Sequence, residues 1–191
     1  MTIGVVLLAA GRSRRFGSDK RQAALPSGRT VLDQTLHQIM VSGLPLRVCL
    51  SPRDTDLVTR LAGRGIVPVV CGRSELGMGE TLAEAITSVQ QWDAAVIALA
   101  DMPFIAASSF TAVAQASTGN TIVAPFYRGQ RGHPVAFGAR FFGDISELRG
   151  DRGAQRLIQR YPGSVHELAL PDPGILRDVD HPADIAFVAD S

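Results

Sequence analysis

Five cations, Arg12, Arg14, Arg15, Lys20 and Arg21, stand between Gly11 and Arg21 against a single acid, Asp19. Small residues (Ala9, Ala10, Gly11, Ser13, Gly17) run through the same stretch, so backbone N–H groups can approach an anion closely. Arginine offers forked donors that match phosphate oxygens, and lysine adds a point charge. A nucleoside triphosphate carries about four negative charges, and holding and polarising it takes several cations. On charge alone, a solvated basic loop reads the same way. Two familiar phosphate loops are excluded by spacing. Five residues separate Gly11 from Gly17, and Lys20 comes two after Ser18, which does not fit G-x-x-x-x-G-K-[ST]. The dinucleotide pattern G-x-G-x-x-G is also absent from this loop.

Asp101 follows the apolar run Ala94–Ala100 and precedes Met102-Pro103. A carboxylate at the end of a buried strand is well placed to hold a metal beside phosphates, since Mg²⁺ takes one or two carboxylates plus phosphate oxygens and water. The alternative is an aspartate capping the next turn. Asp178 and Asp180 lie two apart, so on an extended chain their side chains share a face. Asp180 could complete the metal site or cap the last helix. Arg131 and His133 sit in the Gly-rich turn Gly129–Pro134, where glycine allows close approach to a ligand and Pro134 stiffens the exit. Gly150-Asp151-Arg152-Gly153 precedes a helix, where Asp151 reads either as its cap or as a neighbour of a bound anion. No Ser-His-Asp or Cys-His set is evident, and His37 and His166 receive no role. Cys49 and Cys71 each lie in apolar runs and read as small buried hydrophobes. Two thiols make no zinc site.

The elements that must position these groups alternate. Ile3–Leu8 and Ala94–Ala100 are continuous apolar runs, as expected of strands covered on both faces. Leu46–Leu50, Ile66–Cys71, Thr121–Ala124, Val135–Phe137 and Val165–Leu170 read as further strands, with Pro68 marking a sheet edge. Thr30 and Asp33 have capping-box-like spacing, and Val31, Leu32, Thr35, Leu36, Ile39 and Met40 share one helical face. Other helices are expected from Pro52 to Leu61, from Gly77 to about Gln90, over Ser109–Ala116, Phe141–Leu148 and Ala154–Arg160, and over Pro182–Val188. Strands alternating with helices make an α/β sheet with right-handed crossovers, and ligands bind at the carboxyl ends of its strands. The loops after Leu8 and Ala100 are such ends.

At 191 residues with 46% hydrophobic content, the chain suits a single domain with a substantial core and not a disordered segment. A net charge of +1 gives no field to steer it to nucleic acid or a membrane surface. The first apolar run is too short to span a bilayer and has no basic leader. The expected compartment is the cytoplasm.

The stretch from Leu8 to Lys20 resembles the L-A-A-G-x-S-x-R-[MF]-G-x-x-K signature of nucleotidyltransferases with a glycosyltransferase-A-like fold. Four later segments narrow the resemblance. Leu99-Ala100-Asp101-Met102-Pro103, Gly129–Val135 with Phe137, Gly150–Gly153 and Asp178-Val179-Asp180 are similar to the molybdenum cofactor cytidylyltransferases. The resemblance implies a single Rossmann-like three-layer α/β domain with a mainly parallel mixed sheet. Its nucleotide-binding half would cover about 1–105 and its acceptor-binding half about 106–191. It implies nucleotide contacts at Leu8, Ala9, Ala10, Gly11, Arg12, Ser13, Arg15, Lys20, Gly79 and Thr81, with Arg15, Lys20 and Asp101 catalytic. It further implies Mg²⁺ on Asp101 and Asp180, and acceptor contacts from Arg131 and His133. His181 stands where the family carries threonine. The implied reaction is transfer of a nucleoside monophosphate, with CTP as donor and molybdopterin or molybdenum cofactor as acceptor, and hand-over of the product to a molybdoenzyme or its chaperone. A guanylyl donor, a sugar 1-phosphate acceptor, and a non-catalytic cofactor-delivery chaperone are the alternatives. The missing dinucleotide fingerprint disfavours a dehydrogenase.

Overall fold

The computed structural model describes residues 1–11, 16, 19–151 and 153–186. Its strands are β1 (Ile3–Leu8), β2 (Leu46–Leu50), β3 (Val67–Val70), β4 (Ala94–Leu99), β5 (Ile122–Tyr127), β6 (Gln130–Arg131), β7 (Val135–Gly138) and β8 (Val165–Ala169). The helices are α1 (Val31–Val41), α2 (Thr55–Ala62), α3 (Met78–Thr87), α4 (Ala107–Ala116), α5 (Phe142–Ser146) and α6 (Gln155–Arg160). All eight strands join one sheet in the order β3-β2-β1-β4-β7-β5-β6, with β8 also pairing with β5.

Pairs β1–β2, β1–β4, β2–β3 and β5–β8 are parallel, whereas β7 runs antiparallel to both β4 and β5. The expected mixed, mainly parallel sheet is therefore the one observed. β3 is an edge strand, which lets Pro68 sit in it without robbing a second neighbour of an N–H.

The period-2 alternation of β1 sorts its side chains between two cores. Val5 and Leu7 pack with Leu36 and Ile39 of α1, Leu61 of α2 and Phe110 of α4. Val6 packs with Leu82 and Ile86 of α3, Ile145 of α5 and Leu157 of α6. Helices thus cover both faces of the sheet, which is why β1 and β4 are apolar throughout rather than alternating. Both cysteines are buried and unbridged. The Cys71 neighbour and burial push the Cys49 thiol well up, so it stays protonated and inert.

Several boundaries differ from expectation. Met40 is 48% exposed rather than part of the buried stripe of α1. β5 continues through Pro125 to Tyr127, and the expected turn after it is a hairpin. Its two central residues, Arg128 and Gly129, have φ of 49° and 79°, the pattern of a type I′ turn. Helix α3 ends at Thr87, α4 begins at Ala107, and β8 ends at Ala169. The last helix is a 3-10 segment over Pro182–Ala186 among the described residues. No helix among them is long and apolar enough to cross a membrane.

Candidate active site

The parallel register sets Leu8 beside Leu99, so β1 and β4 end level with one another. The chain leaving β1 is held between its neighbours: Ala9 N–H donates to the Cys49 carbonyl at 2.9 Å, and Ala100 N–H to the Leu8 carbonyl at 3.1 Å. Two loops therefore open side by side at the carboxyl edge of the sheet. Thr35 of α1 reaches this edge, its hydroxyl lying 3.1 Å from the Ala100 carbonyl. Here a 340 Å³ cleft is lined by Leu8, Ala9, Ala10, Gly11, Lys20, Thr81 and Asp101 among others.

Three charges that are far apart in sequence meet at this cleft. Lys20 Nζ lies 2.6 Å from Asp101 Oδ2 and 3.0 Å from Asp180 Oδ1. Asp180 comes within reach because Val179 N–H donates to the Asp101 carbonyl at 2.8 Å, tying the C-terminal segment to the end of β4. Burial weakens the Lys20 charge, but the hydrogen bonds and charges of Asp101 and Asp180 outweigh this and raise its pKa. The second oxygen of Asp101, Oδ1, is buried and accepts no hydrogen bond from the described residues. A buried acceptor without a donor is costly, and a cation is the partner that would satisfy it. No group of three or more potential metal ligands exists among the described residues.

Arg21, counted among the phosphate-loop cations in the sequence, also lines the cleft, but its guanidinium is taken up by the scaffold. Its guanidinium grips Asp54 at 2.7 and 3.0 Å, Asp19 at 2.8 Å and the Ala9 carbonyl at 2.6 Å. Burial lowers its pKa, but the Asp54 and Asp19 interactions exceed that effect and the net shift is upward. Arg21 thus fastens the returning end of the loop to β1 and to the start of α2. Arg12, Ser13 and Arg15 lie outside the described residues.

A second cavity of 560 Å³ adjoins the first, and Leu8, Met78, Leu99 and Asp151 line both. Arg131 and His133 face it, as do Gln155, Arg156 and Gln159 from the α6 segment, which the sequence reading did not single out. Their signal was weak because polar residues on a short helix look like an ordinary solvated face. Gly132 runs against Ile175, whose carbonyl a Cβ at this position would overlap. That close approach lets His133 N–H donate to Ile175 O at 2.8 Å. Asp151 does not cap α6, whose N-cap is Ala154 and has no side-chain cap bond. Near the final 3-10 segment, Asp184 accepts from the Asp180 and His181 N–H groups while the Asp180 carboxylate holds Lys20.

The start of α3 joins the two cavities. Gly77, with φ of 132°, lies against the Gly150 backbone, where any Cβ would collide with a carbonyl. Gly79 is not among the residues that line the cleft, and its N–H donates to the Gly150 carbonyl at 2.8 Å. Next to it the side chain of Glu80 is only 8% exposed, between Arg73 at 3.5 Å and Arg149 at 3.8 Å.

The sequence matches the profile of the MobA-like NTP transferase domain over residues 5–165. The chain belongs to the MobA-like NTP transferase family. It is 27% identical over 195 residues to the purine catabolism protein PucB of Bacillus subtilis (strain 168), with 96% of this chain and 94% of that protein aligned. Among solved structures it superposes on Rv0371c from Mycobacterium tuberculosis H37Rv with a TM-score of 0.84 and 30% identity, covering 96% and 95% of the two chains. A second structure of that protein, described as a complex with manganese, matches with a TM-score of 0.76 and 26% identity over 98% of this chain and 94% of that one. As a MobA-like transferase, the chain works on a nucleoside triphosphate and a small-molecule acceptor.

Two predictions arise from this MobA-like site. Glu80→Ala removes the buried carboxylate between Arg73 and Arg149 and leaves a void under α3. It is expected to lower stability by about 1–3 kcal/mol, read as a lower urea midpoint. An unchanged midpoint would mean the carboxylate contributes nothing to joining these segments.

The second concerns His133. Burial is the main influence on its imidazole; Asp101 pulls the pKa back up, Arg131 presses it down and Asp178 raises it, and the net result lies below the ordinary 6.5. The unfolded chain therefore takes up this proton at a higher pH than the native one. The stability linked to neutral His133 is complete above about pH 6.5 and is lost as the pH falls below it. Between about pH 7.5 and 5.5, wild type should lose more unfolding free energy than His133→Gln. Equal losses in the two proteins would contradict a depressed His133.

Proposed function

We propose that the chain transfers a cytidylyl group from CTP to a phosphorylated acceptor of the molybdopterin type, releasing pyrophosphate. The observation that carries this is the meeting of Lys20, Asp101 and Asp180 at the carboxyl edge of the sheet, with a second cavity opening beside it. The donor half would comprise about residues 1–105 and the acceptor half about 106–191. A phosphate oxygen of the acceptor attacks the α-phosphorus in line; the bond from that phosphorus to the bridging oxygen breaks and pyrophosphate carries the electron pair away. A phosphate monoester is already a nucleophile at neutral pH, so no general base is demanded. Rate then comes from positioning and charge neutralisation.

Within this reading, Lys20 and Arg15 neutralise the β- and γ-phosphates, and residues from Leu8 to Ser13 contact the nucleotide. Arg131 and neutral His133 orient the acceptor. Asp101 and Asp180 would hold Mg²⁺, which would supply Lewis-acid neutralisation of the charge that develops on the leaving pyrophosphate. The unsatisfied Asp101 Oδ1 supports this assignment, as does the relative described with manganese. The reaction would run in the cytoplasm and its product would pass to a molybdoenzyme or its chaperone.

The test is pyrophosphate release with Mg²⁺ and each of the four ribonucleoside triphosphates, with and without molybdenum cofactor. Release with CTP that requires the cofactor is the expected result. Preference for GTP would correct the donor, a response only to sugar 1-phosphates would correct the acceptor, and nucleotide binding with no release on any acceptor would point to a carrier.

A further inference from the structure

We propose that the Lys20 ammonium is a built-in stand-in for the divalent cation, occupying the Asp101–Asp180 carboxylate pair until nucleotide arrives and draws it onto the phosphates. This rests on the metal reading above. Lys20 touches an oxygen of each carboxylate, at 2.6 and 3.0 Å, with its side chain only 16% exposed. Two carboxylates brought together without a cation would repel one another, and in a half-buried site that repulsion is weakly screened. The ammonium removes it and holds both side chains in place.

The same contacts set up a competition. A Mg²⁺ or Mn²⁺ ion seated on these carboxylates, at the unpaired Asp101 Oδ1, places two more positive charges beside the ammonium, and in a half-buried site that repulsion weakens the hold of each cation. Displacing Lys20 without a replacement anion leaves a buried cation beside a divalent one. Triphosphate oxygens supply that replacement, because Lys20 and Asp101 line the same cleft. Metal and nucleotide then favour each other's binding, with reciprocal coupling through one side chain. The free enzyme keeps its carboxylates ordered yet binds the metal weakly, which guards the site against an unproductive ion.

The first measurement uses Mn²⁺ alone, with no nucleotide, following the room-temperature EPR signal of the free ion. Lys20→Met and Lys20→Gln are each expected to bind one Mn²⁺ at least tenfold tighter than wild type, and adding Asp101→Asn to either should abolish the gain. If neither variant binds tighter, or if the gain survives Asp101→Asn, the stand-in role is overturned. A complementary measurement avoids mutants that fold poorly. In wild type labelled with ¹³C at lysine Cε, the Lys20 resonance should move when a non-hydrolysable triphosphate is added in the presence of a chelator. A Lys20 signal that stays still under saturating nucleotide also overturns it. Failure of the proposed reaction would show instead as absent pyrophosphate release, whatever Mn²⁺ does.

Discussion

Asp101→Asn should reduce turnover by about 10³-fold while leaving the fold intact. In the proposed mechanism the phosphates, the metal and Lys20 would all converge on this carboxylate, and metal-assisted charge stabilisation contributes several kcal/mol to a barrier of this kind; at about 1.4 kcal/mol per decade, that is about three decades. Folding should survive for specific reasons. The amide oxygen of asparagine can still accept from Lys20, replacing the 2.6 Å ion pair with a neutral hydrogen bond. The Asp101 carbonyl that receives Val179 N–H is backbone and unaffected. The strand behind it, from Ala94 to Ala98, is buried regardless. Steady-state pyrophosphate release, with circular dichroism and urea unfolding on the same samples, checks both halves. Near-normal turnover would remove Asp101 from the metal site.

Arg21→Ala should be the more damaging change to stability, by about 3–5 kcal/mol. The side chain is 11% exposed and its partner Asp54 12% exposed, so alanine leaves a carboxylate stranded away from water. Asp54 also accepts from Ser51 N–H at 2.8 Å, ahead of α2, so the loss propagates into the β2–α2 turn. Nucleotide affinity should fall too, because the Ala9 carbonyl loses its donor and the loop its tether. Arg21→Lys should rescue little, since a single ammonium cannot reproduce five forked donors. Urea unfolding of the three proteins tests this. A Lys variant as stable as wild type would show that charge alone, not the fork, holds the loop.

The two substitutions probe residues of very different legibility. Asp101 was readable because it combines a local chemical signal with a pattern: an acid at the end of a fully apolar strand, in a segment resembling a known motif. The helix cap of Thr30 was equally plain, and Thr30 Oγ1 does accept from Asp33 N–H at 3.1 Å. The edge position of β3 followed from Pro68 alone. These features depend on a few neighbouring residues, and short-range sterics and hydrogen bonding decide them.

Arg21 is the contrary case. In sequence it is one cation among five in a basic loop, indistinguishable from Lys20 next to it. Its partner Asp54 is 33 residues away, and nothing local announces the pair. The same holds for Glu80, whose burial depends on Arg149 and Gly150 packing onto α3, and for the polar face that α6 turns toward the second cavity.

From the residues alone, the chain determined an α/β sheet covered on both faces, a basic loop at its carboxyl edge, and an aspartate beside that loop. Apolar periodicity and strand-end chemistry are written in consecutive residues. Tertiary structure alone decided that Arg21 is locked to Asp54 and Asp19 while Lys20 bridges Asp101 and Asp180. It drew Asp180 across 160 positions to Lys20 and turned one side of α3 into the seam between two cavities. Charge–charge energies depend on distance and burial, and neither exists until the chain has folded.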